Sequence, residues 1–214
     1  MRWYVCILPA LGGVLVTPPA GWRIRYDAPA AAMELANATT AVLRSLGVPD
    51  RRLVFLCIGT DRSTGDALGP LVGERLRESL SWEAAVLGTL EAPVHASNLH
   101  EALASLDLTT PDAVVLAVDA CLGRMESVGT ITAGVGALLP GAGVNKTLPE
   151  VGTAFVTGTV NVGGFMEYFV LGNTRLHLVM SMAQVIAEGL AGAARAAAQP
   201  APAARGTRLS PALA

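Results

Sequence analysis

The sequence has little charge and few aromatic side chains. Charged residues make up 15% of the 214 residues, aromatic residues make up 5%, and the formal net charge is −2. A chain with this balance lacks the basic surface that binds nucleic acid, so we expect no nucleic-acid partner. Hydrophobic residues make up 52% of the chain, which is enough to form one α/β domain with a large core.

Cysteine is scarce, and no CxxC pair occurs. The cysteines are Cys6, Cys57 and Cys121, which is an odd number. This argues against a disulfide framework and for a reducing compartment, so we expect a cytoplasmic protein. Cys57 and Cys121 each follow an apolar run, and we interpret both as buried structural thiols.

The N-terminus lacks the features of a membrane span. Its first twenty residues, MRWYVCILPALGGVLVTPPA, are too short and are interrupted by Pro9 and by Gly12-Gly13. A weak secretory signal is a less favoured interpretation, because the segment carries one arginine and has no clear small-x-small cleavage site before WRIRYD. We therefore expect no membrane association, and we interpret residues 1–29 as an N-terminal extension that is either an extra strand or a loose segment.

Strand-like apolar runs alternate with helical patterns over the middle of the chain. The patterns predict helices over 30–47, 65–80, 97–106 and 165–190, the last broken near Gly172-Asn173, and strands over RLVFLCIG, 84–92, 112–123, 129–133 and TAFVTGTVNV. This alternation indicates one domain over 30–190, with a mostly parallel sheet and helices on both faces. From residue 191 the Ala/Pro-rich sequence predicts a disordered tail over 191–214.

Aspartates follow the two most apolar runs. In CIGTDRSTGDALGP, Asp61 and Asp66 come directly after the run RLVFLCIG, and Asp119 ends the run VVLAV. Ligand sites of such sheets lie beyond the carboxyl ends of the strands. We therefore expect Asp66 and Asp119 to lie at the same edge of the sheet if their strands are neighbours.

Each aspartate has a structural interpretation beside the functional one. Asp66 falls at the start of a helix, where Thr64 or Asp66 could act as the N-cap. Asp119 is harder to explain, because a carboxylate after a buried run must reach solvent, find donors or shift its pKa. Two acids in a partly dry cleft can act as base and acid to activate water, or they can hold a divalent metal, and the sequence leaves both open.

Other nucleophiles and motifs carry less weight. Cys121 lies two residues after Asp119, but no partner histidine is identifiable, so a cysteine nucleophile is a minor alternative. We interpret His95 and His100 as surface or capping residues and His177 as structural. The sequence has no GxSxG elbow, GxGxxG fingerprint or Walker loop.

Five motifs occur in one order over roughly residues 50–190. They are CIGTDRSTGDALGPLVG, GTLEAPVHASN, VDACLG with SVGTITAG, LPGAGVNKTLPEVG, and NVGGFMEYFVLGNTRL. Together they resemble the YyaC-type sporulation proteins of endospore-forming bacteria. That family is in turn similar to the germination protease, which degrades the proteins that coat spore DNA, and to the hydrogenase-maturation endopeptidases.

The resemblance implies a fold and a set of site residues. Residues 64–70 match the TPDALGP motif of the germination protease, residues 118–121 match its second acidic motif, and residues 140–146 match a PGSGVGNK-like loop. The two matching aspartates are the proposed catalytic pair there, which implies catalytic roles for Asp66 and Asp119. The implied fold is a three-layer α/β/α sandwich of the phosphorylase/hydrolase-like kind. We expect Gly141, Gly143, Asn145 and Lys146 to line the cleft, and Asp61 and Arg62 to shape the loop as a local ion pair, so that all six contribute to substrate binding.

The chain departs from the maturation endopeptidases at one metal ligand and one loop residue. Those enzymes use a histidine as third metal ligand, and no histidine lies between His100 and His177. Glu150 is the nearest polar substitute, so Asp66, Asp119 and Glu150 are the candidate ligands if a divalent metal is bound. Their usual asparagine after the loop glycine is also replaced, since Gly59 is followed by Thr60.

These observations predict a sporulation-associated peptidase with a paired-aspartate site and no certain cofactor. We expect it in the cytoplasm of the forespore or mother cell, acting on a protein or peptide of the spore. A non-catalytic binding or regulatory protein that keeps the fold, and a metal-assisted hydrolase, are the alternatives. Assembly into a homo-oligomer is left open.

Overall fold

A computed structural model describes residues 10–11, 14–15, 21–81, 83–105, 112–140, 149–164 and 166–199. Its strands are β1 (Ala10–Leu11), β2 (Val14–Leu15), β3 (Trp22–Arg25), β4 (Arg52–Cys57), β5 (Ala85–Leu87), β6 (Ala113–Gly123), β7 (Thr130–Val135) and β8 (Ala154–Val162). Its helices are α1 (Ala31–Ser45), α2 (Leu68–Ser79), α3 (Leu99–Ser105), α4 (Glu167–Gly172) and α5 (Leu176–Ala198). Single 3₁₀ turns cover Gly65–Ala67 and Met125–Ser127.

Six strands form one mixed sheet in the order β3-β7-β8-β6-β4-β5. The pairs β5–β4, β4–β6 and β6–β8 are parallel, whereas β8–β7 and β7–β3 are antiparallel. The predicted α/β/α architecture with a mostly parallel sheet is therefore confirmed. β1 and β2 pair antiparallel with each other in a separate two-stranded sheet.

The two faces of the six-stranded sheet are covered unequally. The larger hydrophobic cluster joins one face to α1, α2, α4 and α5, through fully buried residues such as Leu35, Leu76 and Ile186. The smaller cluster joins the other face to α3, through residues such as Leu56, Val115 and Leu99. We call these the helical face and the thin face.

Close packing of α2 on β4 brings the start of α2 to the edge of the sheet. Gly69 and Gly73 lie one turn apart on this helix. A Cβ on Gly69 would overlap the backbone carbonyl of Ile58, and one on Gly73 would overlap the carbonyl of Gly88. Glycine at both positions therefore lets the helix backbone touch the loops that leave β4 and β5.

Two predicted boundaries differ from those of the structure, although the extra strand expected within residues 1–29 is present. Part of the predicted N-terminal extension forms β3, which pairs with β7 at the edge of the sheet. The predicted tail also begins too early, because α5 continues to Ala198 with Ala193, Ala194 and Ala197 fully buried. The small residues of this helix let it approach α1 closely, and that tertiary contact cannot be read from composition. Residues 200–214 lie outside the described residues.

The helix α5 is long and apolar enough to cross a membrane by length and composition. Half of its most apolar 18-residue window is buried inside the fold, and its buried side chains, among them Val179, Met182 and Leu190, belong to the core of the helical face. Packing against the sheet and α1 accounts for this apolar character. The predicted break between α4 and α5 near Gly172-Asn173 is confirmed.

Candidate functional site

Asp66 is held at the edge of the sheet by a loop that folds back on itself. The chain leaves β4 and returns through the 3₁₀ turn Gly65–Ala67 to the first residue of α2. The N–H of Thr60 donates to the backbone oxygen of Asp66 at 3.1 Å. Gly59 has φ +144°, and a Cβ there would overlap the same oxygen, so only glycine fits this close approach. The carboxyl of Asp66 is consequently buried, with 3% of the residue exposed.

Helix capping does not explain this buried acid. The N-cap position of the 3₁₀ turn is Thr64 and that of α2 is Ala67. Neither makes a side-chain cap hydrogen bond. The capping interpretation of residues 64–66 is therefore not supported by the geometry.

Asp119 lies inside β6, and not at its end as the sequence pattern predicted. Cys57, the last residue of β4, pairs with Val118, so Asp119 is the first residue of β6 beyond the end of β4. On its other side β8 continues alongside, and Asp119 pairs with Thr157. Asp119 therefore lies beside the point where β4 ends and the loop that carries Asp66 begins. The two aspartates lie at the same edge, as predicted, although Asp119 is not at the end of its own strand.

One oxygen of the Asp119 carboxyl is satisfied and the other is not. The N–H of Ala120 donates to Oδ1 at 2.8 Å. Among the described residues Oδ2 has no hydrogen-bond partner, although Asp119 is only 1% exposed. A buried acceptor without a donor is costly unless the carboxyl is protonated or a ligand completes it.

Burial and mutual repulsion set the protonation of the two acids. Burial raises the pKa of Asp66 to about 7, and a backbone hydrogen bond from Thr60 opposes the rise. Burial also raises the pKa of Asp119 well above its usual range, the charge of Asp66 raises it further, and the Ala120 hydrogen bond opposes both. Near neutral pH, Asp66 is therefore the acid that ionises while Asp119 keeps its proton. This arrangement suits one group to act as base and the other as acid.

A polar patch surrounds Asp119 on the thin face and was missed by the sequence analysis. Alternation along β6 and β8 places Asp119 with Cys121, Thr157 and Thr159 on this face, opposite the residues packed in the helical core. The threonines are 6–7% exposed. Thr132 of β7 pairs with Thr157 and extends the patch across the sheet. The alternation of threonine in TIT and TGT is the pattern that could have revealed it.

Cys121 is a poor nucleophile in this environment. Its Sγ lies 3.3 Å from Oγ1 of Thr159, and burial raises the pKa of the thiol to about 11. The nearby charge of Asp119 also raises this pKa. The thiol stays protonated at neutral pH, so the minor alternative of a cysteine nucleophile loses support. Cys57 is likewise buried, as predicted.

The loop after β4 carries two of the remaining predicted residues. Asp61 and Arg62 are exposed on the loop after β4. The hydroxyl of Thr60 lies 3.5 Å from Oδ1 of Asp61 and accepts from the N–H of Arg62 at 3.4 Å. Ser63, which the sequence analysis left without a role, is buried, and its Oγ has no partner among the described residues. The other predicted substrate-binding residues, Gly141, Gly143, Asn145 and Lys146, lie outside the described residues.

The predicted metal ligands are not assembled into a metal site. Glu150 is exposed and lies just before the β-bridge residue Val151. Within the described ranges, no group of three or more histidine, cysteine, aspartate or glutamate side chains could hold an ion. Within those ranges Glu150 does not complete a three-ligand group with Asp66 and Asp119, and a metal role for these candidates stays a prediction.

Three comparisons relate the chain to known proteins. A family model described as a protein of unknown function, DUF1256, matches residues 23–189. The uncharacterized protein YyaC of Bacillus subtilis (strain 168) is 52% identical over 164 residues, covering 77% of this chain and 78% of the relative. The NiFe hydrogenase maturation protease HycI from Thermococcus kodakarensis KOD1 aligns with a TM-score of 0.48 and 19% identity, over 72% of this chain and 99% of that one.

Proposed function

The chain belongs to the family of proteins of unknown function DUF1256, and we propose that it is a peptidase that uses Asp66 and Asp119 to hydrolyse a peptide bond. The observation that supports this best is the buried acid pair. Two carboxyls, one from the interior of β6 and one from the loop after β4, lie within electrostatic reach of each other, and the pKa of each is raised. Such perturbed pairs are costly for folding and are typical of catalytic sites.

The protonation states assign a role to each acid. Ionised Asp66 accepts a proton from a water molecule, and the water oxygen forms a bond to the carbonyl carbon of the scissile amide. Asp119 gives its proton to the carbonyl oxygen, so the tetrahedral intermediate carries no net charge. Oδ2 is the oxygen that carries this proton, because Oδ1 accepts from the Ala120 N–H.

Breakdown of the intermediate restores both acids. Asp66 gives its proton to the amide nitrogen, and the carbon–nitrogen bond breaks to release an amine. Asp119 takes back the hydroxyl proton as the new carboxyl carbonyl forms. Atoms and protons balance in these steps, with water as the one co-reactant.

We further propose that the substrate is a spore protein and that it is cleaved in the cytoplasm of the forespore or mother cell. The motifs that resemble the YyaC-type sporulation proteins support this, as does the identity with a Bacillus subtilis relative. The composition, with three cysteines and no CxxC pair, agrees with a reducing compartment.

The test is proteolysis of a spore-protein extract, followed by mass spectrometry of the fragments. The wild type is compared with Asp66→Asn and Asp119→Asn, each of which keeps the shape and removes the ionisable group. Asp112→Asn is the matched control, because Asp112 is exposed at the amino end of β6, away from the pair.

We expect specific fragments from the wild type and the control, and at least about a thousandfold slower cleavage by each variant of the pair. Parallel reactions with a chelator and with added divalent metals separate the metal-assisted alternative. If the wild type cleaves nothing in any of these conditions, the peptidase proposal fails and a non-catalytic binding protein takes its place.

A further inference from the structure

A groove opens at the carboxyl end of β5, on the side of the sheet that carries α3. Its volume is about 610 Å³, within the range of ligand-binding sites. Apolar walls are supplied by Leu87, Pro93, Val94 and Ala102. The polar lining includes Glu101 of α3.

The groove connects directly to the edge that carries the acid pair. Val94 forms a parallel bridge with Ile58, and the N–H of Gly59 donates to the oxygen of Val94 at 2.8 Å. Ile58 in turn donates to the oxygen of Val118, the neighbour of Asp119. Two strand spacings therefore separate the groove wall from Asp119, which is about 10 Å. An extended peptide covers that distance with about three residues.

One wall of the groove is fixed by ion pairs. Arg77 contacts Glu74 at 2.6 Å and Glu91 at 3.0 Å. Glu74 also accepts from the N–H of Leu90 at 3.2 Å, so the loop after β5 is tied to α2. These contacts leave the positive charge of Arg77 neutralised by two carboxylates.

The opposite wall is fixed by an asparagine. Oδ1 of Asn98 accepts from the N–H of His95 at 2.8 Å, and its Nδ2 donates to the oxygen of Pro93 at 3.0 Å. The turn into α3 is therefore closed on itself by one side chain. With both walls fixed, the groove exists before a ligand arrives, which reduces the entropic cost of binding.

The charge of the groove selects a cation. Arg77 and Glu101 are the lysine, arginine, aspartate or glutamate residues of the lining, and Arg77 is already paired with Glu74 and Glu91, so Glu101 is the lining charge left to contact a ligand. The apolar walls suit the aliphatic stem of lysine or arginine, and Glu101 suits its charged end. We propose that this groove binds a lysine or arginine side chain of the peptide substrate, about three residues from the scissile bond.

The inference rests on the proposed function for its substrate, but binding can be measured without cleavage. The probe is a peptide library made from a bacterial proteome by cleavage after acidic residues, so that lysine and arginine remain internal. Immobilised protein carrying Asp119→Asn retains ligands, and mass spectrometry identifies them. A copy of the library with acetylated lysines removes one class of cation.

We expect retained peptides to be enriched in lysine or arginine, and the enrichment to fall about tenfold in protein that also carries Glu101→Gln. Glu101→Lys is expected to reverse the preference toward acidic peptides. Glu78→Gln is the matched control, because Glu78 is exposed on α2 and does not line the groove. Enrichment that is unchanged by the Glu101 substitutions, or no basic enrichment at all, overturns the inference.

The outcome is separable from that of the proposed function. If the wild type cleaves peptides without a basic preference, the peptidase stands and the groove assignment fails. If it cleaves nothing but retains basic peptides through Glu101, the groove assignment stands and the hydrolytic mechanism fails.

Discussion

The same two strands present opposite chemistry on the two faces of the sheet. On the helical face, β6 and β8 contribute Val118, Ala120 and Val156, which are at most 2% exposed in a continuous apolar core. On the thin face, the intervening residues are Asp119 and Thr157, which are equally sequestered from solvent but polar. Burial is therefore not what distinguishes the faces. The difference is that the buried residues of these strands stabilise the fold on the helical face, whereas the thin face contains buried polar groups that reduce the stability of the fold.

The largest expected effect comes from moving a carboxyl to the wrong face. Val118→Asp places a carboxyl among the apolar residues of the helical face. We expect the free energy of unfolding to fall by about 4 kcal/mol or more, measured by urea denaturation followed by circular dichroism. Val118→Ala, which loses packing without adding charge, is expected to cost less. Equal midpoints for Val118→Asp and the wild type would contradict the distinction between the faces.

The second effect is an increase in the free energy of unfolding. It comes from replacing the buried acid Asp66 by a neutral side chain. With a pKa near 7, native Asp66 keeps a proton that the unfolded chain releases near pH 4. The free energy of unfolding therefore falls as pH rises from about 4 to 7, and Asp66→Asn removes this loss. We expect the variant to gain up to about 4 kcal/mol at pH 8, or about 10 °C in Tm, and almost nothing at pH 4.

Thermal unfolding of the wild type and Asp66→Asn at pH 4 and pH 8 tests this prediction. Asp112→Asn serves as control, since Asp112 is exposed. A gain of the same size at pH 4 and pH 8 would mean that the ionisation of Asp66 is not the cause. A gain in stability together with loss of proteolysis would show that the acid pair is kept for chemistry.

The third effect is the pH dependence of hydrolysis. The base must be ionised, so the rate falls tenfold for each pH unit below the pKa of Asp66, which is about 7. We expect kcat/KM on a cleaved peptide to be about a hundredfold lower at pH 5 than on the plateau. A profile flat from pH 5 to pH 8 would remove Asp66 from the role of base. Cys57, the thiol in the core cluster of the helical face, stays protonated over this range because burial raises its pKa.

Part of this arrangement could be predicted from the sequence, and the reasons are physical. Continuous apolar runs identified β4 and β6, because strands covered on both faces need apolar residues at every position. The rule that ligands bind at carboxyl ends of strands then placed Asp66 and Asp119 at one edge. Both inferences depend on residues adjacent in sequence.

Other features depend on contacts between distant segments and could not be predicted. The pairing of β3 with β7 joins segments about a hundred residues apart, and the last turns of α5 are fixed by packing in the core of the helical face. The walls of the groove depend on Arg77 reaching Glu91 and on the turn closed by Asn98. Local propensity carries no information about such partners.

The smallest effect compares one isosteric exchange on each face. Val118→Thr adds a hydroxyl to the helical face without a partner, and we expect a loss of about 1–3 kcal/mol. Thr159→Val removes a hydroxyl from the thin face, where its Oγ1 lies 3.3 Å from the weakly interacting thiol of Cys121, and we expect a change within about 1 kcal/mol. Urea midpoints of the two variants, measured together, test the comparison directly. Equal losses would mean that the hydroxyls of the thin face form a network as tightly satisfied as the apolar core, and that the patch around Asp119 stabilises the fold.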